Sequence, residues 1–300
     1  MENKELQFTC FGEILFDVIK DEKIIGGAPL NVALRIRSFG YPVAMISAVG
    51  NDEDGKILKE YIDQEGIDIS GISILNNYKT GLVEVSVNER GSATYVIEYP
   101  SAWDKIEATD TMHDIVSKTD VFVYGSLVCR DEVSKSSLLK LLANNKAFKV
   151  FDANLRPPHY NLATLKRLMV AADLIKFNDE ELLEIAVHLG SISKSIEENI
   201  RFISKHTQTE AICVTKGKHG AVLLWKGKLY YNAGFLVEVV DTVGAGDSFL
   251  ASLITKLLGE GNPQEAIDFA CAIGAIVAGC EGANPKIDKR SIDRLLKPSF

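Results

Sequence analysis

The feature that most constrains this chain is a rhythm of short apolar runs alternating with longer amphipathic ones. Residues 8–11, 43–49, 120–125, 148–152, 174–177 and 211–215 read as strands, the first of them buried, because each is a short and mostly apolar run. Helical stretches separate them. One opens at Pro29 and ends at Gly40. Residues 52–65 carry Ile57, Leu58, Tyr61 and Ile62 on one face. Further helices are predicted over 131–144, 162–172, from Asn178 onward, 196–206, 249–258 and 263–279. Strands alternating with helices imply a mostly parallel sheet covered on both faces. The apolar fraction of 46% is ample for such a core. No linker, repeat or low-complexity tract interrupts residues 1–300, so they read as a single α/β domain.

One segment breaks the rhythm. Residues 82–87 and 93–99 flank Asn88-Glu89-Arg90-Gly91, a hairpin signal. Two strands alone are marginal, so the hairpin needs a partner, and the extended segment 14–25 is the natural one. Together, residues 14–25 and about 80–100 form a small second sheet, a lid. Val83, Val85 and Val87 on it need cover, which makes its open face a candidate homodimer surface. Residues 221–231 form another hairpin, around Lys226-Gly227.

A net charge of −8 argues against a nucleic-acid partner, which wants a basic surface. It does not exclude an anionic substrate. The five cysteines show no CxxC and no zinc-ligand spacing, and most lie in apolar runs. A reduced, cytoplasmic protein is expected. No signal-peptide core and no membrane-length apolar run is present.

The chemistry concentrates around residues 241–249, Asp-Thr-Val-Gly-Ala-Gly-Asp-Ser-Phe. A β-branched run, 237–240, reads as a buried strand before it, and a helix follows. Gly244, Ala245 and Gly246 then stand where strand turns to helix, so backbone N–H groups can approach an anion at a helix N-terminus. Asp247 stands in the first helical turn. Either it caps the helix and the glycines make a turn, or a carboxylate beside an anion hole accepts a hydroxyl proton during phosphoryl transfer.

Ligands of such folds sit beyond the C-terminal ends of the strands. Asp17, Arg156, Asn178, Thr215 and Asp247 all fall at or just after predicted strand ends, which points to one composite site. Asp17 lies in an apolar run, where an unpartnered carboxylate is rarely kept. Asn31 opens a helix after Gly26-Gly27; it is either a polar surface residue or a ligand contact. Arg156 is either a surface residue or a phosphate clamp. Glu181 is either a favourable first-turn acid or a water-mediated Mg²⁺ contact. There is no GxxxxGK[ST] loop, no GxGxxG after the first strand and no HExxH.

Two stretches together resemble the two signatures of the ribokinase-like (PfkB) carbohydrate kinases: Gly26-Gly27-Ala28-Pro29-Leu30-Asn31-Val32-Ala33, followed by Gly40 and Gly50, and Asp241-Thr242-Val243-Gly244-Ala245-Gly246-Asp247. Between them, Asn178-x-x-Glu181 and Thr215-Lys216-Gly217-x-x-Gly220 resemble the family's Mg-phosphate and ATP motifs. Ser252 departs from the usual Ala or Gly of the second signature, in the helix beyond the turn. Finer features resemble the fructokinase branch: Gly12 to Asp17, Ala102-Trp103-Asp104, Gly125-Ser126-Leu127 and Asp152-Ala153-Asn154-Leu155-Arg156.

The resemblance implies a three-layer α/β/α fold with a small β-sheet lid, and ATP-dependent phosphorylation of a primary sugar hydroxyl, the 6-hydroxyl of D-fructose. It implies Asp247 as base and the backbone of Gly244, Ala245, Gly246 and Asp247 as phosphoryl cradle. Asp17, Gly26, Gly27 and Asn31 then bind sugar hydroxyls, with Arg156 near the sugar or the γ-phosphate. Asn178 and Glu181 orient Mg²⁺ through water, and Thr215, Gly217 and Gly220 line the nucleotide site. A monovalent cation, K⁺, is a family expectation near Asp241. Alternatives on the same fold are kinases of another sugar, of a sugar acid such as 2-keto-3-deoxygluconate, or of a nucleoside. A non-catalytic sugar or nucleotide sensor is a different class, against which an intact Asp247 argues.

Overall fold

The structure, a computed structural model, describes residues 5–20, 22–87, 93–143 and 145–297; the side chains of 85–87 and 93–95 also lie outside the description. The chain divides into two compact units, Met1–Ala147 and Phe148–Phe300.

In the first unit the chain runs β1 (Phe8–Phe11), β2 (Leu15–Ile19), β3 (Glu22–Gly26), α1 (Ala28–Ser38), β4 (Val43–Gly50), α2 (Glu53–Gln64) and β5 (Asp68–Leu75). It continues through β6 (Gly81–Val87), β7 (Ala93–Ile97), α3 (Asp110–Ser117), β8 (Val121–Gly125) and α4 (Glu132–Ala143). Strands β8, β1, β4 and β5 are neighbours in that order, all parallel. Every residue of β1 and β4 is buried, as continuous apolar runs require in a parallel sheet covered on both faces. Helix α1 packs on β1 and β4. Phe11 and Phe122, both fully buried, approach with ring centroids 6.4 Å apart. Asp52 caps α2, accepting from the Gly55 N–H at 2.8 Å and from the Thr80 hydroxyl and N–H, which ties the helix start to the chain entering β6.

The second sheet of this unit has the order β3-β2-β6-β7. The segment 14–25 and the predicted hairpin do pair: β2 runs parallel to β6, with Leu15 opposite Gly81 and Asp17 opposite Val83. Val83 is buried. The predicted turn, 88–91, lies outside the described residues, as do the side chains of Val85 and Val87.

In the second unit the order is β9 (Phe148–Asp152), α5 (Leu162–Val170), β10 (Leu174–Asn178), α6 (Asp179–His188), α7 (Ile196–Thr207), β11 (Ala211–Thr215), β12 (Ala221–Trp225), β13 (Lys228–Asn232), α8 (Ala245–Gly259), α9 (Pro263–Ala278) and α10 (Lys289–Leu296). Strands β9, β10 and β11 are parallel neighbours, and β12 and β13 add antiparallel to β11 as a hairpin. Helices α8 and α9 pack on each other, and α9 packs on β12 and β13.

Several expectations need correction. Residues 237–240 form no strand, and Val239 and Val240 are exposed at 58% and 56%. Their β-branched side chains favour extended backbone but have no ladder to join. Instead the Val240 and Asp241 N–H groups donate to the carbonyl of Ala278, at the end of α9. In α2 only Leu58 and Ile62 of the expected apolar face are buried; Ile57 is 43% exposed. Strand β5 and helices α3 and α10 escaped the sequence reading. In β5 the burial is irregular and the pairing with β4 carries a register shift, so no clean period marks it.

Candidate active site

In the first unit the chain leaves β3 at Gly26, and Gly27 is the N-cap of α1. Asp17 lies in the middle of β2, not at the end of a main-sheet strand as expected, and is partly exposed. It stands over Gly26: a Cβ at that glycine would collide with Asp17 Oδ2, so a side chain there would displace the carboxylate. Asn31 is buried at 5% exposure in the first turn of α1, which removes the surface reading. Asp17, Gly26, Gly27 and Asn31 therefore cluster where the second sheet meets α1. Elsewhere in this unit Asp104 and Arg130 form a buried pair, the Arg130 guanidinium lying over the Trp103 ring.

In the second unit the expected residues gather at one end of the parallel strands. Asn178 is the last residue of β10, and Thr215, opposite it in register, is the last of β11. The Asn178 side chain caps α6 by accepting from the Glu181 N–H at 2.8 Å. Glu181 reciprocates, accepting from the Asn178 N–H at 2.8 Å. This is a capping box, visible as Asn-x-x-Glu in the chain. The other Glu181 oxygen accepts from the Leu155 N–H at 2.8 Å, binding the segment after β9 to α6. Burial raises the Glu181 carboxyl pKa, against the pull of Lys176 and the two N–H groups. Glu181 is thus a helix-capping acid with lone pairs to spare. Arg156 follows Leu155 and is exposed, its Nη1 donating only to the Leu155 carbonyl among the bonds described. Gly217 and Gly220 bound a tight turn after β11, with the Lys216 N–H donating to the Gly220 carbonyl at 2.8 Å.

Helix α8 starts at Ala245 with Gly244 as N-cap at φ 72°, and no side chain caps it. Gly244 is required there: a Cβ would lie 2.5 Å from the Ala283 backbone. The first turn of a helix holds N–H groups without intrahelical partners, and here the cap has no side chain to cover them. Asp247 is in that turn. Asp241 lies just before it, its oxygens accepting from the N–H groups of Val243 at 3.0 Å and Gly282 at 3.3 Å.

One residue was not singled out from the chain. Lys176, in β10, is 6% exposed, and its ammonium pairs with both oxygens of Asp152, at 2.9 and 3.0 Å. It reaches the start of α8: a Cβ built on Gly246 would lie 3.6 Å from Nζ. Burial disfavours the charged form, but the carboxylates of Asp152, Glu181 and Asp247 outweigh it, so the Lys176 pKa stands above the ordinary lysine value. The signal was present as a lone charge in Leu174-Ile175-Lys176-Phe177, the same signal that marked Asp17. What results is a helix N-terminus without a side-chain cap, carrying a carboxylate and flanked by a buried cation, an arrangement chemically suited to an anion.

Among the described residues no cluster of three or more His, Cys, Asp or Glu is arranged to cage a metal. Glu181, with both oxygens already bonded to backbone, fits a Mg²⁺ that keeps its waters and takes its other ligands from phosphates. The five cysteines are free; Cys10, Cys129, Cys213 and Cys271 are buried and Cys280 half-buried, and burial pushes the Cys271 thiol up to about 12. Among the described residues no helix is long and apolar enough to cross a membrane.

Comparison with known proteins agrees with this architecture. The model of the pfkB family carbohydrate kinases matches residues 3–290. Fructokinase-2 of Solanum lycopersicum is 29% identical, the match covering 94% of this chain and 93% of the relative. The crystal structure of a fructokinase from Vibrio cholerae O395, bound to fructose, ADP and calcium, superposes with a TM-score of 0.84 at 24% identity. It covers 98% of this chain and 99% of that one. An aminoimidazole riboside kinase from Salmonella enterica, with its riboside and an ATP analogue, superposes at 0.81 and 20% identity, over 97% and 100% of the two chains. The fold is the three-layer α/β/α fold of the ribokinase-like proteins, and the enzyme class is sugar kinase. The chain belongs to the pfkB family of carbohydrate kinases.

Proposed function

We propose that this sugar kinase transfers the γ-phosphoryl group of ATP to the 6-hydroxyl of D-fructose. The carrying observation is the first turn of α8, where an uncapped N-terminus, the Asp247 carboxylate and the Lys176 ammonium come together. Support for fructose comes from the relative named fructokinase and from the fructose-bound neighbour. Support for ATP comes from the ADP and the ATP analogue in the two neighbours.

In this reading Asp247 accepts the hydroxyl proton as the sugar oxygen attacks. The new O–P bond forms while the bond to the β-phosphate oxygen breaks and ADP leaves. The N–H groups of Gly244, Ala245, Gly246 and Asp247 hold the transferring phosphoryl. Asp17, Gly26, Gly27 and Asn31 bind sugar hydroxyls, and Arg156 serves the sugar or the γ-phosphate. Thr215, Gly217 and Gly220 line the nucleotide site. Mg²⁺, oriented through water by Asn178 and Glu181, supplies charge neutralisation to the phosphates. A K⁺ ion near Asp241 is carried over from the family resemblance. The second sheet is the lid and the homodimer face; Ile24 and Val96 are exposed on it at 43% and 54%.

The riboside-bound neighbour favours a second reading, a nucleoside-type acceptor. An ATP-coupled assay over fructose, ribose, tagatose, 2-keto-3-deoxygluconate and nucleosides separates the two. The highest kcat/KM on fructose is expected; a nucleoside ahead of every sugar overturns the fructose assignment. Sedimentation velocity reads the dimer, and a monomer at every concentration removes that part.

A further inference from the structure

We propose that Lys176 is a positioning residue for phosphoryl transfer, its buried ammonium setting the electrostatic field at the first turn of α8. The inference rests on the reading of that turn as the phosphoryl cradle.

Four observations carry it. First, Lys176 sits in β10 between Ile175 and Phe177, both fully buried, where an apolar residue would fill the slot at no electrostatic cost. A lysine is kept in such a place only when its charge is paired or used. Second, the pair with Asp152 does not exhaust it. An ammonium carries three donors, and both hydrogen bonds found for it among the described residues go to Asp152. Third, it borders Gly246, in the turn whose amides have no side-chain cap. Fourth, the sign of the surroundings demands it. Asp152, Glu181 and Asp247 all act on this one cation. Remove it, and the Asp247 carboxylate in the first turn of α8 loses this neighbouring counter-charge. An incoming phosphoryl group would then be repelled from the amides meant to hold it. A planar guanidinium at this point would be consumed by its carboxylate partner, whereas a compact ammonium can serve two neighbours.

A purely structural account is available: Lys176 exists only to neutralise Asp152. The two accounts separate on three variants, assayed with Mg·ATP and the best acceptor from the panel above. Lys176→Met should lower kcat by about 10²–10³-fold, the range for loss of one preorganised charge-stabilising group. The sugar KM should stay within about threefold, because the side-chain hydrogen bonds found for Lys176 go to Asp152 and not to a residue assigned to the sugar. This variant strands the Asp152 carboxylate and is expected to melt lower. The double variant Asp152→Asn/Lys176→Met removes both charges together and should recover most of the melting temperature, yet kcat should stay at least about 100-fold below wild type. Asp152→Asn alone keeps the ammonium and should hold kcat within about tenfold. A double variant whose kcat returns to within about threefold of wild type overturns the inference, as does Asp152→Asn losing as much kcat as Lys176→Met. Either result leaves the kinase reading intact. A wild-type enzyme that phosphorylates no acceptor in the panel overturns the kinase reading itself.

Discussion

Two buried ion pairs, one in each unit, look alike in a contact map and differ in what their charge is spent on. In the first unit, Arg130 donates to Asp104 through Nε and Nη2, both at 2.7 Å, and through Nη2 to the Glu98 carbonyl at 2.5 Å. Its guanidinium lies 4.0 Å from the Trp103 ring centroid and 5.2 Å from that of Tyr99. Asp104 also accepts from the Ser101 N–H at 2.8 Å. Every strong direction of the pair ends on protein, so it serves as a rivet holding the exit of β7 to the 102–105 turn. In the second unit, the side-chain hydrogen bonds found for Lys176 among the described residues all go to Asp152, while the cation also borders Gly246 and feels Glu181 and Asp247. The difference teaches a general reading. A saturated buried pair spends its charge on the fold, and a buried pair with a neighbour at a helix N-terminus has charge left for a ligand.

The largest effect expected on the second region is Asp247→Asn. The amide keeps the shape but cannot take the proton, so kcat should fall about 10²–10⁴-fold with substrate binding and melting temperature nearly unchanged. Near wild-type turnover in a coupled assay would break the assignment of the α8 turn as the reacting centre. For the first region, Arg130→Met should cost about 3–5 kcal/mol in urea unfolding, since it leaves Asp104 charged, buried and alone. The folded fraction should keep kcat within a few-fold. If instead stability holds and kcat collapses, the two pairs have exchanged roles.

Asp17→Ala is a smaller change. It should raise the sugar KM far more than the ATP KM, by the equivalent of about 1.5–3 kcal/mol per charge-assisted bond lost. Equal rises in both would mark a folding defect. The smallest effect sharpens the structural side. Burial alone would raise the Asp131 carboxyl, but Lys105 at 2.6 Å, the Val133 N–H and the Tyr99 hydroxyl hold it below the usual carboxylate value. A depressed folded pKa adds stability that is present above the unfolded value of about 3.9 and lost as pH falls through the folded one. Urea midpoints measured from pH 7 to 3 should therefore drop more steeply for wild type than for Asp131→Asn. Parallel curves would show that this carboxylate contributes nothing to acid sensitivity.

Much of this molecule was written in local order. The βα rhythm is a burial period, and burial follows side-chain chemistry residue by residue, so β1, β4, β9, β10 and β11 stood near their predicted bounds. The hairpin outside that rhythm had to find 14–25, and it did. The α6 capping box and the Gly-Ala-Gly-Asp start of α8 were legible because each is a contact within a few residues. Lone charges in apolar strands were legible too, as the case of Asp17 shows; Lys176 carried the same mark.

What the chain could not disclose by itself is which distant groups meet. Residues 237–240 have strand propensity, but strand formation needs a neighbouring ladder, and only the packed molecule shows that the carbonyl of Ala278 takes the Val240 N–H instead. Asp152 and Lys176 are 24 residues apart, and Asp104 and Arg130 are 26 apart. No local pattern pairs them, because the free energy of a buried charge depends on every group around it. Sequence alone thus determined most of the strands and helices and the Gly-Ala-Gly-Asp start of α8. Tertiary structure decided which charges were consumed by the fold and which one was left at the start of α8, since low-dielectric surroundings exist only once the elements have packed.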